Sequence, residues 1–341
     1  MTLTFIGPVA EQGGPAIKNA LTLKYLHYDN VHLINTFSKS FSARLGSLVR
    51  TFACHDNQIL VGVSRKGRAL LWPIVRHNAP AVGGSRYGLI CIGGTVAEEA
   101  ARNHHLLSVM KDADIVAVET SGVKAKLASL GIFENVYLFP NFVEGIQDEL
   151  RPRANISDDG SLRCVFLSSV RDKKGVGTMI AACRDAIAIG CDISLDIYGP
   201  IRNDFDRSIL DGLGSSEPIS YKGIVPKEQV MQTLARYDCF VFPSEYEAEG
   251  FPSVLAEAMA VGLPVIASDT CYNPEIVGEN GGWLFATGQR TELTELFVAC
   301  SKDREALKRV GARNVEYAQQ WDASNVVGNF REQLIKKGWI L

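Results

Sequence analysis

Long apolar runs are missing from this sequence: nowhere do about 18 apolar residues follow one another, and the start MTLTFIGPVAEQGG has no basic residue leading into such a run. Neither a transmembrane helix nor a signal peptide is expected. Charge of one sign is missing too. The 35 Lys and Arg against 38 Asp and Glu leave a net charge of -3, which excludes the strongly basic surface of a nucleic-acid protein. The eight cysteines include no C-x-x-C pair, and most sit in apolar runs where a thiol behaves as a small hydrophobe. Reduced thiols in a cytoplasmic chain are expected. A dinucleotide-binding fold would carry G-x-G-x-x-G after a strand and an acid about 20 residues on. Gly13-Gly14-Pro15 does not fit that pattern, and Gly175-Val176-Gly177 lacks the third glycine. The phosphate loop G-x-x-x-x-G-K-[ST] is absent as well.

What the chain does have is apolar residues, 46% of 341, enough for two cores of roughly 150 residues each. Short apolar strand candidates alternate with amphipathic stretches: Leu3 to Ile6, 15–26, Val31 to Thr36, 41–54, Gln58 to Val63, 65–77, Tyr87 to Ile92, a helix from Ala97 to Met110, Asp114 to Val118, 121–130, and Asn135 to Phe139. Residues 141–162 lose the rhythm and gather Pro, Asn, Asp and Gly, the composition of a linker. The alternation resumes with Arg163 to Ser168, 175–189, Ile193 to Tyr198, a helix over 203–213, Ile219 to Lys222, 226–235, Cys239 to Phe242, 252–261 and Val265 to Ala267, and closes in helices. This predicts an α/β chain of two Rossmann-like, doubly wound domains, 1–150 and 151–320, followed by an amphipathic end over 321–341. Such sheets bind ligands beyond the C-terminal ends of their strands, so a site in a cleft between the domains is expected.

Charge is unevenly spread. Residues 36–90 hold eight basic side chains (Lys39, Arg44, Arg50, Arg65, Lys66, Arg68, Arg76, Arg86) against one acid, Asp56, which is about +7 locally. With Leu70, Leu71, Trp72, Ile74 and Val75, the segment is either a peripheral contact for anionic lipid headgroups or a pyrophosphate-bearing acceptor, or else a solvated basic helix face.

The densest chemical signal is Ser244 to Met259, SEYEAEGFPSVLAEAM, which follows an apolar strand and opens a helix. Pro252 suits the first helical turn, and Gly262 with Pro264 closes the helix. The N–H groups around Ser253 and Val254, added to the helix dipole, make a site for phosphate. Glu257 shares a helix face with Ser253, and Glu249 lies in the loop before it. Carboxylates beside a diphosphate would repel it unless they face neutral hydroxyls. They therefore read as sugar recognition, Glu257 on a ribose diol and Glu249 on a transferred hexose. Capping of the helix N-terminus is the bland reading of Glu247 or Glu249. It does not account for Glu257 on a face that is otherwise apolar.

The E-x7-E from Glu249 to Glu257, within EGFPSVLAEAMAVGLPVIASD, resembles the signature of retaining glycosyltransferase family 4, whose fold is GT-B. The likeness extends to Gly13-Gly14, VFLSSVRDKKG, LDIYG, YKGIVPKEQV and Pro274-Glu275-Ile276-Val277. More loosely, VGVS, LICIGG and NVYLFPNF resemble a bacterial branch that builds capsular and lipopolysaccharide chains. The resemblance implies that Gly13 and Gly14 let backbone approach the donor diphosphate and that the backbone at Gly223 and Ile224 holds the base. It also places Gly250, Phe251, Ser253, Val254 and Glu257 on the donor. The family sets an Arg and a Lys, spaced R-x4-K, on the leaving diphosphate. Lys174 matches the Lys, but Ser169 stands at the Arg position, and Arg171 either supplies the missing guanidinium or is a solvent-facing loop residue. A C-terminal helix such as 321–341 packs back on the N-terminal domain in such enzymes.

The implied reaction retains anomeric configuration, with Glu249 positioning the hexose and Lys174, Arg171 and the helix N-terminus stabilising charge on the departing phosphate. No Asp-x-Asp stands at a strand end: Asp158-Asp159 falls in the linker and Asp112-Ala113-Asp114 at a helix-strand turn. No metal and no other cofactor is therefore expected. On the acceptor side the candidates are Gly93, Gly94 and Glu119, near strand ends, while His104 and His105 read as helix-surface residues. The partners expected are a nucleotide sugar and a glycan or lipid-linked acceptor. A nucleotide-sugar epimerase shares the fold but is not expected to carry this motif. The other alternative, kept open by Ser169, is a catalytically silent subunit that binds a nucleotide sugar or regulates a partner transferase.

Overall fold

Continuous apolar strands separated by amphipathic helices can be buried only in parallel sheets covered on both faces. The computed structural model contains two such sheets and describes residues 2–10, 13–38, 40–54, 56–79, 86–146, 160–214 and 217–340. The chain divides into two units, one of Met1–Glu144, Ala248–Phe251 and Trp321–Leu341, the other of Gly145–Glu247 and Pro252–Gln320. Most of the expected linker, with Asp158-Asp159, lies outside the described residues, as does Lys39.

In the first unit the order is β1 (Leu3–Gly7), α1 (Gly14–Leu26), β2 (Val31–Asn35), α2 (Phe41–Phe52), β3 (Gln58–Val63), α3 (Arg65–Asn78), β4 (Arg86–Cys91), α4 (Val96–Arg102), α5 (His104–Asp112), β5 (Ile115–Val118), α6 (Ser121–Ser129) and β6 (Val136–Leu138). The strands pair in the order β2-β1-β3-β4-β5-β6, every neighbour parallel. Right-handed crossovers put α1 on one face and α2 to α6 on the other. The α1 face is completed from the far end of the sequence. Val326, Val327, Phe330 and Leu334 of the last helix bury themselves against Leu3, Phe5, Leu60 and Ile90, with the Phe330 ring stacked 4.4 Å from Phe139.

The second unit runs β7 (Leu162–Leu167), α7 (Val176–Ala188), β8 (Ile193–Tyr198), β9 (Ile219–Gly223), α8 (Val230–Leu234), β10 (Cys239–Phe242), α9 (Ser253–Ala260), β11 (Val265–Ser268), α10 (Asn273–Val277), β12 (Gly282–Phe285), α11 (Arg290–Lys302) and α12 (Arg304–Ala318); the helix returning to the first unit is α13 (Ala323–Lys336). Its parallel sheet has the order β12-β11-β10-β7-β8-β9. Strand order reverses between β7 and β10, the crevice where doubly wound sheets bind ligands.

Three expectations are corrected. The single helix from Ala97 to Met110 is two, because the Asn103 side chain accepts the N–H groups of His105 and Leu106 and starts a new helix. The helix over 203–213 shrinks to a 3-10 turn at Arg207–Leu210. The stretch read as helices after Val265 to Ala267 contains the strand β12, which pairs with β11.

Most of the apolar side chains named in the basic segment are internal. Leu71, Trp72, Ile74 and Val75 are core residues, and only Leu70 of that group is exposed. Arg68 is fully buried, clamped bidentately by Glu99 at 2.6 and 3.0 Å. Arg76 and Arg86 pair with Asp112 and Asp114. The charges of Arg68, Arg76 and Arg86 are therefore balanced inside the unit.

Six of the eight cysteines are buried, Cys191 is half-buried and Cys271 is exposed. Burial pushes the Cys91 and Cys183 thiols up to about 12. Since the thiolate is the reactive form, a disulfide reagent at mildly alkaline pH should modify Cys271 first and the buried thiols only on unfolding. Mass spectrometry of the first adduct checks this.

Candidate functional site

In the second unit, β7 leads into a loop and a 3-10 turn, Asp172–Lys174, which ends at Gly175. Gly175 has φ 67°, and a Cβ there would lie 2.0 Å from the carbonyl oxygen of Pro243, so only glycine lets this loop press against the one that follows β10. The two loops are joined by the Glu245 N–H on the Lys173 carbonyl at 2.9 Å, and Thr178 Oγ1 on α7 donates to Glu245 at 3.2 Å. Lys174 is thereby buried at the reversal point. Its Nζ lies 4.8 Å from the Phe242 ring centre and 5.9 Å from that of Tyr246, which gives the ammonium two π faces in a poorly solvated setting. Ser169 is half-buried in the same loop.

Arg171 is placed differently. Its guanidinium bonds Asp204 at 2.6 and 3.0 Å and lies 5.8 Å over the Tyr246 ring, and this pairing lowers the Asp204 carboxyl. Glu257 is buried on α9 with one oxygen held by Lys227, a partner that sequence reasoning missed. Lys227 belongs to the stretch after β9, which ends at Gly223 and is followed by the exposed Ile224. At the start of α9, Pro252 is the N-cap residue and makes no side-chain capping bond. Ser253 is half-buried and Val254 buried there.

In the first unit, Gly13 caps α1 with φ 90°, and its carbonyl accepts from Ala16 and Ile17. A Cβ on Gly14 would meet nothing within 4 Å, so no neighbour in the fold demands its bareness. The loop after β4 is fixed from two sides. Arg68 donates to the Ile92 carbonyl at 2.8 Å, and the Gly93 N–H donates to Glu119 at 2.9 Å. Glu119 is buried and its other oxygen takes Lys18 Nζ at 2.9 Å. Burial pulls the Lys18 ammonium below its usual value, with Glu119 acting against that pull. Glu119 thus holds up the Gly93-Gly94 loop from within.

The same carboxylate reaches the signature segment. The Phe251 N–H donates to Glu119 Oε2 at 3.4 Å, Asn141 donates to the Phe251 carbonyl, and the Phe251 ring meets Trp321 edge-on at 5.2 Å. Gly250 is needed here, because a Cβ on it would lie 2.3 Å from Glu119 Oε2 and 2.9 Å from Gly93. Gly250 and Phe251 therefore anchor the segment that carries the half-buried Glu249. His104 and His105 are exposed on the first turn of α5. Lys18 and Asn141 are further residues of this network that the sequence did not single out.

A family model described as glycosyl transferases group 1 matches residues 147–317, half of the chain. The chain belongs to the glycosyl transferases group 1 family. Among curated proteins, this group 1 chain is similar to the amylovoran biosynthesis glycosyltransferase AmsK of Erwinia amylovora, 32% identical over 148 residues that cover 41% of this chain and 36% of that protein. It is also similar to the putative colanic acid biosynthesis glycosyltransferase WcaL of Escherichia coli K12, 27% identical over 184 residues, 52% of this chain and 43% of that one. The matches span less than half the length of these relatives. Among solved structures, Anabaena HepE in complex with UDP aligns with a TM-score of 0.77 at 15% identity, covering 98% of this chain and all of that one. The lipopolysaccharide outer core galactosyltransferase WaaB aligns at 0.70 and 17%, covering 99% and 100%. The fold of the group 1 chain is GT-B.

Breaking a buried ion pair from one side leaves an uncompensated charge. Lys18→Met should therefore cost about 3–5 kcal/mol in urea unfolding. The double variant Lys18→Met/Glu119→Leu should recover part of that loss, short of wild type because the Gly93 and Phe251 N–H groups lose their acceptor. Simple additivity of the single losses would show that the two residues act independently.

Proposed function

We propose that the chain is a retaining, metal-independent glycosyltransferase. It moves a hexose from a nucleoside-diphosphate sugar to a growing glycan or a lipid-linked acceptor in cell-surface polysaccharide synthesis, on the cytoplasmic side. The observation that carries this reading is Lys174, a lysine buried between two aromatic rings at the strand-order reversal of the second unit. A cation fixed there is placed to meet the charge of a departing diphosphate. Helix α9 adds backbone N–H groups and a positive dipole end at Ser253 and Val254. The loop at Gly223 and Ile224 takes the base, and Glu257, steadied by Lys227, takes the ribose diol.

In the reaction, the bond between the anomeric carbon and the phosphate oxygen breaks, and the acceptor hydroxyl bonds to the same face of that carbon. The hydroxyl proton passes to the leaving phosphate. Glu249 positions the hexose, and Gly13 and Gly14 offer the diphosphate backbone free of side chains. Arg171 adds its guanidinium only by leaving Asp204, so it contributes less than Lys174.

The decisive assay is release of nucleoside diphosphate from UDP-, GDP- and ADP-sugars in the presence of EDTA. One donor should be hydrolysed slowly and regardless of EDTA. Lys174→Ala and Glu249→Ala should each lower the rate by roughly 10²–10³-fold, and Arg171→Ala by less. Ser169, standing at the family's arginine position, favours a second reading, a silent subunit that binds the donor. Tight donor binding without turnover, with lipid-linked acceptors supplied, would select that reading.

A further inference from the structure

Lys174 and the start of α9 lie at the carboxyl ends of the strands of the second sheet. At the opposite edge, where these parallel strands begin, the same unit has a cleft of about 530 Å³ between the turn that joins α10 to β12 and the last turns of α12. That volume falls in the range of small-molecule sites. None of the residues assigned above to the donor, the transferred sugar or the acceptor lines it.

The walls of the cleft are fixed by backbone bonds and by glycine. Gly278 ends α10 with φ 62° and its N–H on the Pro274 carbonyl at 2.9 Å, and the Gly281 N–H returns to the Val277 carbonyl at 3.0 Å. A Cβ on Gly281 would lie 2.2 Å from that carbonyl oxygen, so the turn is this tight only with glycine there. Helix α12 is drawn in by Gly311, where a Cβ would lie 2.3 Å from the Gly262 carbonyl oxygen, and by Asn314, whose amide donates to the Leu263 and Gly281 carbonyls at 2.7 and 2.8 Å. Asn314 is buried in the cleft wall, and its Oδ1 has no donor among the described residues.

The side chains on offer are polar and mostly planar. Arg313, Glu316 and Tyr317 stand at i, i+3 and i+4 of α12 and share one face. Glu279 and Asn280 line the cleft from the turn, and Arg313 donates to Asn280 Oδ1 at 3.2 Å. Among the described residues neither Glu279 nor Glu316 forms an ion pair. The Tyr317 ring is 43% exposed, and a Cβ on Gly278 would lie 3.8 Å from its hydroxyl, so a side chain at 278 would crowd the cleft beside the ring. Two carboxylates against one guanidinium leave an excess of negative charge, which repels phosphate esters and nucleotides. An acyl tail would find Val277 as the only aliphatic side chain beyond the glycines, and Val277 is buried. A ligand rich in hydroxyls suits every group present. Carboxylates accept from its O–H groups, the guanidinium donates to its oxygens, and the C–H face of a pyranose ring packs on the tyrosine ring.

We propose that this cleft is a second carbohydrate site, which holds a stretch of neutral oligosaccharide with Tyr317 as the stacking platform, Glu279 and Glu316 as acceptors and Arg313 as donor. For the transferase proposed above, a glycan held here keeps its end at high effective concentration near the protein between turnovers. That consequence rests on the proposed function; the binding does not.

The test is saturation-transfer difference NMR on the full chain without donor, titrating maltotetraose, cellotetraose and an α-1,6-linked mannotetraose, with tetralysine and a galacturonate tetramer as charged comparisons. At least one neutral tetrasaccharide should bind, and more tightly than either charged probe. Tyr317→Ala should lower its affinity roughly tenfold, whereas Tyr317→Phe should keep most of it because the ring remains. Glu279→Ala/Glu316→Ala should weaken it as well, and Lys174→Ala, at the other edge of the sheet, should leave it unchanged. Circular dichroism melting confirms that each variant is folded. Failure of all three sugars to bind, binding undiminished in Tyr317→Ala, or binding lost in Lys174→Ala would overturn the proposal. Tighter binding of tetralysine, abolished in the Glu279/Glu316 variant, would overturn it in favour of a basic peptide partner.

Discussion

Burying a carboxylate costs several kcal/mol unless every lone pair that matters finds a donor. Glu119 meets that condition with Lys18 on one oxygen and the N–H groups of Gly93 and Phe251 on the other. The condition is demanding because the donors come from α1, from the loop after β4 and from a segment more than a hundred residues further along the chain. Satisfying one side chain thus sets the position of three backbone segments at once. The absence of a side chain at Gly250 belongs to the same constraint, since a methyl group there would occupy the place of the carboxylate.

The second unit sets a cation against aromatic faces: Phe242 and Tyr246 flank Lys174, with ring centres 4.8 and 5.9 Å from its Nζ. Ring quadrupoles attract an ammonium group without carrying a net charge of their own. Two other charged side chains of the unit are held in pairs, Arg171 with Asp204 and Lys227 with Glu257.

Much of this fold was legible because parallel strands are short apolar runs with sharp ends. The strands Ile193–Tyr198 and Cys239–Phe242 were read at their true limits. Reading failed where local side-chain chemistry overrides periodicity, as at Asn103, whose cap cuts an apolar rhythm in two without any proline or glycine to mark the break. It failed again at α3, because periodicity shows that a helix has an apolar face but not whether sheet or solvent receives it. Glu249 and Glu257 were visible through their spacing. Lys18 and Lys227 were not, since an ion pair joining residues 101 or 30 positions apart leaves no local pattern.

The first unit is assembled from three stretches of chain, so the polypeptide passes from one unit to the other at 144/145, 247/248, 251/252 and 320/321. A gene cut near the middle would therefore yield no self-sufficient halves. The leading half would lack α13, leaving Leu3, Phe5 and Phe139 uncovered, and the trailing half would carry Glu249 without the carboxylate that seats its loop. Recombination that exchanged the trailing half between relatives would have to bring a matching surface for Phe330 and Trp339 with it. The trailing half of such a chain is inherited together with part of the leading unit's core.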